Sequence, residues 1–166
     1  RITKEETERD ILMPLPELKL DELNIGDHKY DNENAMEVLE KCIIKKFRMI
    51  YSDTTYDFCD KLKKFLSHQT ELEELTGLER IFEEFADDTF KFQLKHLEVF
   101  KSYYKPPIIS ANFRKFLKKF KDSLESLEMY YIADETWKLL NDFPKLQKIS
   151  TNNISPIFTK TKKFRN

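Results

Sequence analysis

An apolar residue recurs along this chain in the spacing apolar-x-x-apolar-x-apolar. The clearest copies are Leu94-x-x-Leu97-x-Val99, Leu124-x-x-Leu127-x-Met129 and Leu146-x-x-Ile149-x-Thr151. Weaker ones stand at Leu20-x-x-Leu23-x-Ile25, Ile44-x-x-Phe47-x-Met49 and Leu72-x-x-Leu75-x-Gly77. Within each phrase apolar and polar positions alternate, the period of a strand with one buried face. Between phrases the spacing turns helical. Residues 111–121 place Phe113, Phe116, Leu117 and Phe120 on one face behind Ser110 as a cap, with Arg114, Lys115, Lys118 and Lys119 on the other. Asp134 is expected to cap a short helix that turns Trp137 and Leu140 inward and ends near Pro144. Further helices are expected over residues 34–41 (Met36, Val38, Leu39), 54–66 (Phe58, Leu62, Phe65, Leu66) and 78–85 (Ile81, Phe82, Phe85).

Strands separated by helices imply a parallel sheet, because a parallel return needs a crossover. The central residues of the six phrases, Leu23, Phe47, Leu75, Leu97, Leu127 and Ile149, are 24, 28, 22, 30 and 22 residues apart. That is the period of stacked strand-plus-helix units, and the phrase is that of a leucine-rich repeat. The expected fold is therefore α/β: a short leucine-rich-repeat solenoid with a curved parallel sheet on its concave side and helices on its convex side. Residues 15–154 would form about six irregular units, residues 1–14 an N-terminal polar segment or cap, and residues 155–166 a basic C-terminal tail. Regular repeats carry Asn or Cys three positions after the last apolar anchor. Here those positions are His28, Ser52, Arg80, Ser102, Ile132 and Ile154, which predicts irregular turns or a different arrangement of similar elements. A sheet-free helical repeat is the structural alternative.

If the phrases are strands in register, the residues flanking each central anchor share the concave face. One row is Asn24, Arg48, Thr76, Glu98, Glu128 and Ser150; its neighbour is Glu22, Lys46, Glu74, His96, Ser126 and Lys148. Phe100 and Tyr130 fall on the same side. Aromatic residues at a rim are effective anchors because they bury much area for few rotors. Asn24, Lys46, Arg48, Thr76, His96, Glu98, Phe100, Glu128, Tyr130 and Lys148 are accordingly the candidate partner-binding residues, basic at Lys46 and Arg48 and acidic at Glu98 and Glu128. The competing reading of these rows is a solvated sheet face. Tyr103 and Tyr104, just before Pro106 and Pro107, fit loop packing.

Charged residues make up 36% of the 166 positions, yet the net charge is only -1, so bulk electrostatics points to neither nucleic acid nor an anionic membrane. No stretch approaches the roughly 18 uninterrupted apolar residues of a membrane span. With only two glycines, Gly26 and Gly77, phosphate-cradling loops are excluded. Cys42 and Cys59 lie about one repeat apart, where either a bridge or two buried thiols is open, and their apolar neighbours favour buried thiols. His28, His68 and His96 have no partners at metal-ligand spacing, and neither cysteine stands in a nucleophile motif. Neither an enzyme, a metal nor a cofactor is therefore expected. Glu83, Glu84, Asp87 and Asp88 read as solvated helix ends, as does the basic run 160–165 for the terminus. The triplet Asn153-Ile154-Ser155 matches a glycosylation site but precedes Pro156.

The runs "LKHLEV", "FRKFLKKFKDSLESLEMY" and "NDFPKLQKIS" resemble repeat segments of insect F-box and leucine-rich-repeat proteins, best over residues 90–151 and more weakly over 15–77. In that family the repeats recognise a partner, while a separate N-terminal F-box docks onto a cullin-type ubiquitin ligase adaptor. Related proteins are also secreted by plant-feeding flies as effectors. The resemblance implies a non-enzymatic protein-binding module, a secreted effector acting on a host protein, or alternatively the substrate-recognition part of an F-box-type ubiquitin ligase adaptor. Nothing before Leu15 matches the F-box pattern, so ligase docking is assigned to no residue. The compartment follows the branch: cytoplasmic or nuclear for an F-box protein, secreted for an effector. The sequence sets no oligomeric state.

Overall fold

The computed structural model describes residues 18–25, 39, 42–49, 56–100 and 110–153. Its strands are β1 (Lys19–Ile25), β2 (Ile43–Met49), β3 (Glu74–Leu78), β4 (His96–Phe100), β5 (Ser126–Tyr131) and β6 (Lys148–Asn153). They form one sheet in chain order, every neighbouring pair parallel. Helices α1 (Tyr56–His68), α2 (Glu79–Glu84), α3 (Ala111–Lys118) and α4 (Asp134–Leu140) stand between them. The architecture is α/β, and the sheet excludes the purely helical alternative. The register aligns Leu23, Phe47, Leu75, Leu97, Leu127 and Ile149 on one rung, as the spacing predicts.

These anchors pack with the apolar faces of the helices into one core, to which α1 contributes Phe58, Leu62, Phe65 and Leu66, and α3 Phe113, Phe116 and Leu117. The leading residues of four phrases, Leu72, Leu94, Leu124 and Leu146, precede their strands and are buried beneath them. Seven phenylalanines form the centre of the packing between α2 and α3. Phe82 stacks on Phe116 at 5.0 Å between ring centroids, and Phe92 stacks on Phe120 at 5.5 Å. Phe85, Phe90 and Phe113 join through further ring contacts.

Gly77 stands where the other inner strands carry an apolar side chain. A Cβ there would meet Met49 Cε at 3.0 Å and Phe82 Cζ at 3.1 Å, so the ring of Phe82 fills the space that a longer residue would claim. Helix α3 begins as expected, with Ser110 Oγ accepting from Phe113 N at 3.0 Å. The cap expected of Asp134 is corrected: Ala133 holds the cap position and Asp134 is the first helical residue, where its carboxylate complements the helix dipole. Helix α1 starts and ends two residues later than the spacing suggests, and α2 is shorter by one residue at each end. The helix expected over 34–41, apart from Leu39, lies outside the described residues, as do Tyr103, Tyr104 and both terminal segments.

At the start of β2, a side chain rather than a strand satisfies part of the backbone. Strand β3 pairs with β2 only from Lys46 onward, which leaves the backbone of Cys42 and Ile44 without a strand partner on that side. The side chain of Gln69, fully buried just beyond α1, substitutes for the missing strand. Its Oε1 accepts from Ile44 N at 3.0 Å and its Nε2 donates to Cys42 O at 2.9 Å. Cys42 and Cys59 are free, buried thiols, and burial pushes both up from the ordinary thiol range.

Candidate functional site

All ten candidate residues lie on the strands, on the sheet face opposite the core. The parity of a strand requires this: the anchors point into the helices, so the residues one before and one or three after point away. The register joins Asn24, Arg48, Thr76, Glu98, Glu128 and Ser150 as one continuous row, and Glu22, Lys46, Glu74, His96, Ser126 and Lys148 as the next. Asn24, Lys46, Arg48, Glu128, Tyr130 and Lys148 are exposed, while Thr76, His96, Glu98 and Phe100 are half-buried.

The first four strands of this face largely satisfy themselves. Asn24 Nδ2 donates to Glu22 Oε1 at 2.9 Å, and Lys46 Nζ pairs with Glu74 Oε1 at 2.8 Å. The hydrogen bond to Glu74 raises the Lys46 ammonium above its usual range, aided by the charge of the same carboxylate. The basic and acidic ends expected of the strip are joined rather than apart. Arg48 reaches across β3 so that Nη2 lies 3.6 Å from Glu98 Oε2, the oxygen to which Thr76 Oγ1 donates at 3.2 Å. Its guanidinium carbon sits 5.8 Å from the centroid of the Phe100 ring. His96 Nδ1 and Ser126 Oγ share a hydrogen bond of 2.8 Å.

The last two strands differ. Glu128 and Lys148 make no ion pair with a described residue, and Tyr130 exposes 40% of its surface, a large value for an aromatic side chain in a strand. This part of the face retains unmatched charge at Glu128 and Lys148 beside a partly exposed tyrosine. Such a combination suits charge-assisted contact with another macromolecule.

A third row was not singled out by the strand pattern. The residues two before the first five anchors, Asp21, Lys45, Glu73, Lys95 and Glu125, alternate in sign across the sheet, and the neutral Gln147 ends the row. Lys45 pairs with Asp21 at 3.9 Å and Lys95 with Glu73 at 2.7 Å. The hydrogen bond from Lys95 lowers the Glu73 carboxyl, and reciprocally raises Lys95. The backbone continues the ladder here, with Glu73 O accepting from Lys95 N and His96 N, and Lys95 O from Glu125 N and Ser126 N. The signal was present in the aligned phrases, one position outside the rows considered.

Among the described residues, no three of His, Cys, Asp and Glu gather in a way that could hold a metal ion. No described helix is long and apolar enough to cross a membrane. Comparison with protein-family models, with curated proteins and with solved structures returns no match. The class that the fold itself defines is an α/β protein with a single six-stranded, all-parallel sheet whose second face is polar.

Proposed function

We propose that this chain is a non-enzymatic protein-interaction module, a leucine-rich-repeat-like solenoid that binds a protein partner on its strand face. The observation that supports it most is the register. Six strands in chain order lay their polar residues out in continuous rows, and these end at β5 and β6 in unmatched charges beside the exposed Tyr130. Each unit packs against the next in sequence, the arrangement that produces extended recognition surfaces in stacked repeats. The contact residues are Asn24, Lys46, Arg48, Thr76, His96, Glu98, Phe100, Glu128, Tyr130 and Lys148. The test is affinity capture of the partner from host or cell extract, repeated with Glu98→Arg and Glu128→Arg combined. Charge reversal should weaken capture about tenfold or more while the far-UV circular dichroism stays unchanged. Unaltered affinity would refute the assignment of the face.

A second reading is the substrate-recognition part of an F-box-type ubiquitin ligase adaptor. It is favoured by where the family-like runs fall: "LKHLEV" leads into β4, "FRKFLKKFKDSLESLEMY" spans α3 and β5, and "NDFPKLQKIS" leads into β6. Recovery of a cullin adaptor together with the partner would select this reading. Recovery of a host protein alone would select a simple binding module or effector.

A further inference from the structure

The two edges of the sheet, β1 and β6, are complementary to each other. The inner anchors Phe47, Leu75, Leu97 and Leu127 are 1–2% exposed. Leu23 on β1 and Ile149 on β6 are only partly buried, because each has a described strand on one side alone. An edge strand of this kind is a template for pairing with another strand.

The backbone joint between units repeats along the sheet. Glu73 O accepts from Lys95 N and His96 N, Lys95 O from Glu125 N and Ser126 N, and Glu125 O from Gln147 N and Lys148 N. Gln147 O is the next carbonyl of this series, directed away from β5 by the same alternation. Glu22 N is the matching donor on β1, at the position of His96, Ser126 and Lys148, and the alternation turns it away from β2.

The side chains agree with the backbone. In the row before the anchors, Lys46 meets Glu74 across neighbouring strands at 2.8 Å. The same row ends in Lys148, which is exposed, stands opposite Ser126 and makes no ion pair with a described residue. The row begins with the exposed carboxylate of Glu22. In the alternating row one position earlier, Glu125 is followed by Gln147, and the row begins with Asp21. If that row ran on from β6 into a β1 strand, the neutral amide would separate two carboxylates, where an acid would repel both.

We propose that the β6 edge over residues 147–150 binds the β1 edge, residues 21–24, of a second copy of this chain, parallel and head to tail. Lys148 then lies opposite Glu22 of the second copy, Ile149 opposite its Leu23 and Ser150 opposite its Asn24, so the register of one molecule runs on into the next. Opposite charges facing each other on neighbouring strands favour this pairing. The contact is heterologous and leaves one edge of each kind open, so assembly continues beyond the dimer. A joint of four rungs is small, and the association is correspondingly weak.

The test is sedimentation velocity of the full chain from about 0.01 to 1 mM at low salt, a range that reaches such weak contacts. The wild type should sediment faster as concentration rises, passing the dimer. Lys148→Glu and Glu22→Lys each place like charges at the joint, and each should weaken association about threefold or more. An equimolar mixture of the two variants should associate again, because both mixed joints bring opposite charges together. Far-UV circular dichroism should be the same for all three proteins. A wild type that stays monomeric to about 1 mM would overturn the proposal. So would a dimer that grows no further, or a mixture that associates no better than its components. Association lost with Lys148→Glu but untouched by Glu22→Lys would instead indicate β6 pairing with β6, and would equally refute the head-to-tail joint.

Discussion

Replacing Gln69 by methionine tests how the sheet compensates where β3 falls short of β2. Methionine matches glutamine in length and fills the buried site, but it neither accepts from Ile44 N nor donates to Cys42 O. Two backbone groups, now engaged at 3.0 and 2.9 Å, would be left unpaired beneath a fully buried side chain. Each such orphan costs about 1–3 kcal/mol. Removing the buried amide itself returns part of this, since its transfer from water is unfavourable, by about 1–2 kcal/mol. The net expectation is a loss of about 1–4 kcal/mol. Urea unfolding followed through the fluorescence of Trp137, the one tryptophan of the chain, measures it as a lower midpoint at unchanged slope. Hydrogen exchange adds the local readout, because the Ile44 amide should lose protection beyond the change in global stability. Gln69→Glu sharpens the point: an ionised carboxylate still accepts from Ile44 N but cannot donate to Cys42 O, so its deficit should shrink as pH falls and the carboxyl regains its proton. A loss below about 0.5 kcal/mol for the methionine variant, or an Ile44 amide as protected as before, would refute the idea that this side chain replaces a missing strand.

Two further outcomes follow from the packing and the buried charge. Phe116 is fully buried and makes ring contacts with Phe82, Phe90, Phe113 and Phe120, so Phe116→Ala should cost about 3–5 kcal/mol by thermal or urea unfolding, and Phe116→Leu clearly less. Glu79, the first residue of α2, has a buried Oε1 without a hydrogen-bond partner; burial, with Glu83 nearby, pushes its carboxyl up from 4.5 to about 7. The folded state therefore holds this proton more tightly than the unfolded chain, so its contribution is fully present below about pH 4.5 and is lost as pH rises through about 7. Because the carboxyl keeps partial contact with solvent, the loss is about 1–2 kcal/mol. Stability of the wild type relative to Glu79→Gln should fall between pH 5 and pH 8 by about that amount, and a pH-independent difference would contradict it.

Most of the sheet was legible in the chain. A repeated phrase carries its own register, because stacking like positions on like positions buries every anchor, and a slip of one residue would turn the anchors to water. The same logic placed all ten candidate residues on one face. The cap at Ser110 and the amphipathic face of α3 were equally local, set within a few residues by spacing and hydrogen-bonding chemistry. The alternating charges from Asp21 to Glu125 were also written in the aligned phrases.

What the sequence could not supply depends on segments far apart in the chain. Gly77 looks like a failed anchor until the ring of Phe82 and the tip of Met49 are seen to fill its place. Gln69 reads as an ordinary polar residue after a helix, because its task is defined by where β3 begins relative to β2. The meeting of Arg48 with Glu98 and Phe100 crosses a whole intervening strand, and it turns an apparent pair of opposite poles into a neutralised patch, which leaves Glu128 distinct. Periodicity is a one-dimensional signal that fixes which way each residue points and which rung it occupies. Which side chain satisfies which group is decided by distances of a few ångströms between strands and helices, and those exist only once the units are packed together.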